Sequence, residues 1–211
     1  MSIYRLKASF QGLLRPTARR LAGAGTTANQ VTIAAAIVSL GVGALLLMWP
    51  KSSLFALVPI WMFLRMAFNA LDGMLAREHG QESALGAYLN EIADVLSDAA
   101  LLAPFALVAP FSTGWIAAVM FCAALTEFAG VLGVAHGNGR QYDGPMGKSD
   151  RAVVFGSLGM WISLAGELPS WTWLLSPVLC VLMIWTSVNR IRSGLRNKAR
   201  PAVLTAQMKS A

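Results

Sequence analysis

Charge is scarce in this chain. Aspartate and glutamate together number 10 among 211 residues, and charged residues of both signs make up 13%. A soluble domain usually carries about 25%, so a surface wetted on every side is excluded. Cysteine is as rare: Cys122 and Cys180 are the two present, and neither has a C-x2-C partner. That excludes a zinc ribbon and leaves both as packing residues. The two histidines, His79 and His136, lie without metal-type spacing and read as solvated loop residues. Alternation of apolar and polar residues is missing too, which excludes the strands of a membrane barrel.

What the chain has instead is long apolar runs, within a composition that is 56% hydrophobic. Val31 to Trp49 and Trp171 to Val188 carry no charge, Gly114 to Ala135 carries one acid, and Ser53 to Leu71 carries one base. About 20 residues suffice to cross the hydrocarbon layer as a helix. Two further spans are expected: Ala84 to Pro110, rich in acids, and a shorter one from Ala152 to Ala165. The expected fold class is an all-α integral membrane protein of six transmembrane helices. An amphipathic N-terminal helix precedes them, with Ile3, Leu6, Phe10, Leu13 and Leu14 on one side and a bend near Pro16. Residues 1–200 read as one domain and 201–211 as a flexible tail marked by Pro201.

Basic residues gather at both ends and in alternate loops: Arg5, Lys7, Arg15, Arg19 and Arg20, then Arg77, then Arg140, Lys148 and Arg151, then Arg190, Arg192, Arg196 and Lys198. The positive-inside rule puts these sides, and both termini, in the cytoplasm. Trp49, Trp115, Trp171 and Trp173 fall at the opposite ends of spans, where indole rings favour the interface. Topology and anionic lipid therefore account for the net charge of +7, and no nucleic acid partner is expected.

The few acids are placed unusually. Taking about 1.5 Å per residue, Asn69 and Asp72 lie roughly 8 to 12 Å inside the second span, and Asn90 and Asp94 roughly 9 to 15 Å inside the third. Residues three or four apart share a helix face. A six-residue loop makes the two spans neighbours, so four oxygen-bearing side chains can converge at one level. Such buried polar groups mark functional sites, and hard oxygen donors suit Mg²⁺ or Mn²⁺ and the diphosphates these ions clamp. Gly73, Ala76 and Gly86 would let a nucleotide approach closely, and the planar fork of Arg77 suits a phosphate. Arg65 and Asp98 come to similar depth and read as a structural ion pair. Glu127 at comparable depth is a site ligand, a partner for Arg65 or a packing group.

From Asn69 to Asp94 the chain reads N-x2-D-G-x2-A-R-x8-G-x3-N-x3-D. This resembles the signature of the CDP-alcohol phosphotransferases, D-x2-D-G-x2-A-R-x8-G-x3-D-x3-D, at every interval, with asparagine at the first and third aspartate positions. The resemblance implies transfer of a phosphatidyl or phospho-alcohol group from a CDP-linked donor to an acceptor hydroxyl, with release of CMP. It implies Asp94 as general base, and Asp72, Asp94, Asn69 and Asn90 as metal ligands. Asp72, Gly73, Ala76, Arg77 and Gly86 would hold the nucleotide and its phosphates. It further implies Mg²⁺ or Mn²⁺, a homodimer, and residence in a bacterial inner membrane. Lys148 and Arg151, in a looser match to a G-K-x-K-T-like element, could hold the acceptor's head group or simply follow the positive-inside rule. Asn29 and Thr32 resemble the family's P-N-x-(L/V)-T element and would cap the first span or line the site.

The two asparagines leave three outcomes open. Metal could bind only together with the donor; a single metal or Glu91 could make up the missing charge; or binding could persist without catalysis. A protein that only binds CDP-lipid is thus the alternative to an enzyme. A small transporter is a third class, but it lacks the paired broken helices that such folds show.

Overall fold

The computed structural model describes residues 3–209, with side chains placed for residues 10–196. The described residues form seven helices: α1 (Ile3–Gly23), α2 (Ala28–Met48), α3 (Leu57–Glu78), α4 (Ala84–Leu102), α5 (Thr113–Ala135), α6 (Lys148–Ala165) and α7 (Leu175–Lys209). Among the described residues there is no strand. Short 3-10 turns, Ser52–Ala56 and Ser170–Leu174, lead into α3 and α7.

Local chemistry sets the boundaries. Thr27 caps α2 in a reciprocal box: its hydroxyl accepts from the Gln30 N–H, and the Gln30 side chain accepts from the Thr27 N–H. Ser83 and Ser112 cap α4 and α5 in the simpler way. Gly80, at φ +66°, turns the chain out of α3 while the Gln81 N–H returns to the Ala76 carbonyl. α1 runs helically through Pro16, and α7 is helical to Lys209.

Among the described residues four segments are long and apolar enough to cross a membrane: Ala28–Met48, Ser52–Glu78, Thr113–Ala135 and Ser170–Arg196. α4 and α6 fall outside that group. α4 carries Glu91, Asp94 and Asp98, and α6 has only 18 residues, with Lys148, Asp150 and Arg151 in its first turns. Large apolar side chains point outward along the four apolar segments, among them Ile37, Phe63, Phe121 and Trp185. An integral membrane protein needs that outward apolar face.

Contacts divide the chain into two compact units, one of residues 1–104 and 156–166, the other of residues 105–155 and 167–211. In the first, α2 is the shared wall against which both α3 and α4 pack most extensively. α3 and α4 meet directly through Arg65, Asn69, Asp94 and Asp98, as their short loop led one to expect; the central place of α2 is an addition that the sequence did not show. Gly43 makes it possible, because a Cβ there would stand 2.2 Å from the Ala100 carbonyl oxygen of α4. The indole N–H of Trp61 donates to Ser39 at 2.9 Å, joining α3 to α2. Behind the motif, Leu14, Ala18 and Leu21 of α1 pack on Leu71, Met74 and Leu75 of α3. The amphipathic helix thus spends part of its apolar face on the protein, while Leu13 stays exposed.

In the second unit α5 packs along α7. The loop before α6 lies tightly on α7. A Cβ at Gly144 would stand within 2.8 Å of three Thr186 atoms, and the Met146 N–H donates to the Thr186 hydroxyl at 2.9 Å.

Candidate active site on α3 and α4

Asp72, Asp94 and Asp98 are all buried, on helices that the sequence itself marks as exceptional. Asp72 faces α2, where its Oδ2 accepts from the Thr32 hydroxyl at 2.8 Å. Thr32 also donates to the Ala28 carbonyl, so one hydroxyl links the first turn of α2 to the motif. Asp94 faces α3. Its Oδ1 accepts from the Asn69 amide at 3.4 Å and from Arg65 Nη2 at 3.2 Å. The same Nη2 donates to the Asp94 backbone carbonyl at 3.1 Å, and Nη1 donates to Asp98. Arg65 therefore joins three acceptors on two successive turns of α4. Its pairing with Asp98 is the one expected from depth, and its hold on Asp94 was not foreseen.

Asn90 lies one turn before Asp94 and is half-buried, as is Glu91. Among the described residues no three His, Cys, Asp or Glu side chains gather as a metal-binding group. Glu91 lies three residues before Asp94 on the same helix.

The small residues have specific neighbours. A Cβ at Gly73 would meet the Arg77 guanidinium at 2.8 Å, so Arg77 folds back over the motif helix from its exposed position. A Cβ at Gly86 would stand 2.8 Å from the Asn29 amide oxygen and 3.0 Å from the Ser83 hydroxyl. Asn29 therefore sits beside the motif glycine, and Thr27 takes the capping role once considered for it. Ala76 packs on the apolar cluster behind the site. The spacer before Gly86 also holds Gln81, which the sequence did not single out. Its side chain accepts from the Ala28 N–H at 2.7 Å and donates to the Thr26 carbonyl at 3.3 Å, fixing the α3–α4 loop to the start of α2.

Lys148 and Arg151 belong to the second unit. Lys148 opens α6 and is half-buried, while Arg151 is 2% exposed. Arg151 Nη2 donates to Glu127 Oε1 at 2.8 Å and its Nη1 to the Thr126 hydroxyl at 2.9 Å. Arg140 and Arg190 donate to Glu127 Oε2 at 2.7 and 3.4 Å. Glu127 is thus the hub of three arginines, and the partnership with Arg65 considered from the sequence is not the one formed. Burial, with Arg190 close by, holds the Arg140 guanidinium below its usual range, and Arg140 lies 5.3 Å over the Tyr142 ring. Arg190 Nε is buried without a hydrogen-bond partner.

The spacing from Asn69 to Asp94 and the level placement of its two halves are matched at the scale of the whole chain. The family model for CDP-alcohol phosphatidyltransferase matches residues 25–185. The chain belongs to that family. This CDP-alcohol phosphatidyltransferase relative is 45% identical over 195 residues to the inner membrane protein YnbA of Escherichia coli, covering 92% of this chain and 97% of that one. It is 38% identical over 96 residues to the phosphatidylinositol phosphate synthase of Mycobacterium tuberculosis, covering 45% and 42% of the two chains. The fold is that of the same mycobacterial enzyme's crystal structure with CDP-DAG bound. The TM-score is 0.69 at 22% identity, with 85% of this chain and 92% of that chain covered. A second crystal structure of that enzyme, in complex with manganese and citrate, gives 0.65 at 22% identity, with 85% and 88% covered.

A divalent cation fits the donor set on α3 and α4. Mg²⁺ is commonly held by one or two carboxylates completed by substrate phosphates. Asp72 and Asp94 supply two carboxylates, and Asn69 and Asn90 supply amide oxygens on the same helices.

Proposed function

We propose that this protein transfers a phosphatidyl group from a CDP-linked lipid, of the CDP-diacylglycerol kind, to an acceptor hydroxyl with release of CMP. The observation that carries this is the buried Asp94 carboxylate within reach of Asn69, on two helices whose spacing matches the family signature throughout. Membership in the family and the CDP-DAG-bound mycobacterial fold relative support the donor class. The acceptor oxygen attacks phosphorus, the bond to the CMP oxygen breaks, and the hydroxyl proton passes to Asp94. Mg²⁺ or Mn²⁺, held by Asp72, Asp94 and the amide oxygens of Asn69 and Asn90, would neutralise the diphosphate and favour departure of CMP. Gly73, Ala76 and Gly86 keep the nucleotide side of the helices low, and Arg77 pairs with phosphate oxygens. Thr32 holds Asp72, and Arg65 with Asn69 orients Asp94.

The acceptor reading rests on Lys148 and Arg151, joined by Arg140 and Arg190. Three guanidiniums around one glutamate make a cluster that favours an anionic head group, and a phosphorylated polyol is the class it suits. With this go six transmembrane helices, both termini in the cytoplasm, a single membrane domain over residues 1–200, a homodimer and an inner-membrane location. The similarity to inner membrane protein YnbA supports that location. A second reading, a CDP-lipid binder without turnover, draws on the hold of Arg65 and Asn69 on Asp94, which occupies the Oδ1 oxygen of that carboxylate.

Thermal unfolding in detergent with CDP-diacylglycerol, with and without Mn²⁺, separates the readings. Stabilisation that needs donor and metal together, followed by CMP release on adding a phosphorylated polyol, is the result expected of the transferase. Stabilisation by donor with no CMP release from any acceptor would leave the binder, and no stabilisation would sink both.

A further inference from the structure

Three helix ends meet around Gln81. α3 ends at Glu78, α4 begins at Ala84 and α2 begins at Ala28. Gln81 stands in the turn between α3 and α4, and its own N–H returns to the Ala76 carbonyl of α3. Its side chain reaches the other way: Oε1 accepts from the Ala28 N–H at 2.7 Å, and Nε2 donates to the Thr26 carbonyl at 3.3 Å.

The first N–H groups of a helix find no partner within it. Thr27, the N-cap, accepts from the Gln30 N–H and leaves that of Ala28 to be met elsewhere. Ala28 is 6% exposed, so a missing partner there would cost the desolvation of a buried donor. Proline removes that need, because it has no N–H and its fixed φ suits the first helical position. Thr27, at φ −94° and ψ 153°, has the extended backbone that a following proline requires. In the P-N-x-(L/V)-T element that Asn29 and Thr32 match, position 28 is the proline. Here it is alanine, and Gln81 meets the N–H that alanine brings. The next residue, Asn29, places its amide oxygen 2.8 Å from where a Gly86 Cβ would stand, and the Gly86 N–H donates to Ser83 at 3.0 Å. The bond from Ala28 to Gln81 thus fixes the first turn of α2 against the first turn of α4, where Asn29 and Gly86 face each other.

We propose that Gln81 is a positioning residue for the nucleotide end of the donor site, standing in through its bond to Ala28 for a proline at the first position of α2. The proposal rests on the donor site of the transferase reading above. Gln81 acts through Asn29 and Gly86, whose separation sets the room left for the nucleotide. Asp94, farther along α4, keeps its own bonds to Arg65 and Asn69 of α3. Gln81 therefore sets donor affinity rather than the chemical step.

The experiment measures affinity for CDP-diacylglycerol, at saturating Mn²⁺, from donor-dependent thermal stabilisation of the full-length protein in detergent. Gln81→Ala is expected to raise the Kd about threefold to tenfold, the weight of one hydrogen bond, with little change in the melting of the donor-free protein. Adding Ala28→Pro to Gln81→Ala is expected to bring the Kd back to within about twofold of the wild type, because the N–H that Gln81 serves is then gone. General loosening of the fold would not be reversed in this way. A folded Gln81→Ala protein with the wild-type Kd overturns the proposal, whatever its melting temperature. So does a double variant whose Kd stays as high as that of Gln81→Ala. Should Gln81→Ala fail to fold, the double variant decides: folding and donor binding restored by the proline support the proposal, and their absence overturns it. A wild type without donor-dependent stabilisation would remove the transferase reading and this proposal together, whereas a stabilised wild type with unmoved variants removes the proposal alone.

Discussion

The two buried charge clusters of this protein are built in opposite senses. On α3 and α4 one guanidinium, Arg65, stands between two carboxylates, Asp94 and Asp98. Around α5 one carboxylate, Glu127, stands among three guanidiniums, Arg140, Arg151 and Arg190. Within the first cluster negative charge is in excess, so it favours a cation. Within the second positive charge is in excess, so it favours an anion. On the proposed transfer, the first would suit a metal and a diphosphate, and the second an anionic acceptor. Buried ion pairs contribute little net stability against apolar packing. Their worth here lies in fixing the sign of charge that each cluster offers to a ligand.

The sharpest way to break the comparison is at Asp94. Asp94→Asn is expected to lower CMP release by about 10² to 10⁴-fold, the usual contribution of a general base, while Arg65 keeps Asp98 and the helices stay folded. Retained turnover would take the base role from Asp94. Next comes the hub itself. Glu127→Gln leaves three guanidiniums around a neutral amide, and removing one partner of a buried pair costs about 3 to 5 kcal/mol. Asp98→Asn, which leaves Arg65 its Asp94 partner, should cost clearly less. Melting curves of the two variants in the same detergent compare them directly, and equal losses would deny the difference between the clusters. Thr32→Val removes the hydroxyl that Asp72 accepts from, with an expected loss of about 1 to 2 kcal/mol and weaker donor-dependent stabilisation. An unchanged donor response would show that Asp72 is held by other means.

The smallest effect is expected outside both clusters. Arg15 donates to Glu78 through two bonds, 2.9 and 3.2 Å, tying α1 to the C-terminal end of α3. The hydrogen bond from Arg15 holds the Glu78 carboxyl below its ordinary value, and the same bond raises Arg15. A carboxylate with a depressed folded-state pKa stabilises the fold above its unfolded pKa and loses that contribution as pH falls through the folded value. Hydrogen exchange in α1 should therefore quicken below about pH 4, and Glu78→Gln should show the acid behaviour at neutral pH. Both amino acids are exposed, so salt should weaken the link as well.

What the sequence made legible was what regular geometry dictates. Charge-free runs announced the spans, and a rise of 1.5 Å per residue brought Asn69 level with Asp94 and Arg65 level with Asp98. What it hid depends on partners distant in the chain. Arg140 and Arg190 lie 13 and 63 residues from Glu127, and their positions beside cytoplasmic loops looked like ordinary positive-inside charge. Gln81 sits in a spacer whose identity the signature ignores, yet its amide spans the backbone at the start of α2. A buried glutamate in an apolar helix was itself a signal that several donors had to be found for it. The packing of α2 on both motif helices was hidden because a short α3–α4 loop fixes which helices follow each other, not which helix each one packs against most.

Gly43 gives the site a fulcrum. Near Ala100 the backbones of α2 and α4 meet with no side chain between them, so at that end α4 has no room to slide or to draw closer. A rod held in this way is least constrained at its far end, where Asn90 and Gly86 lie. Bulk added at residue 43 would act as a wedge under that lever, opening the jaws at Asp94 without touching any residue that line them.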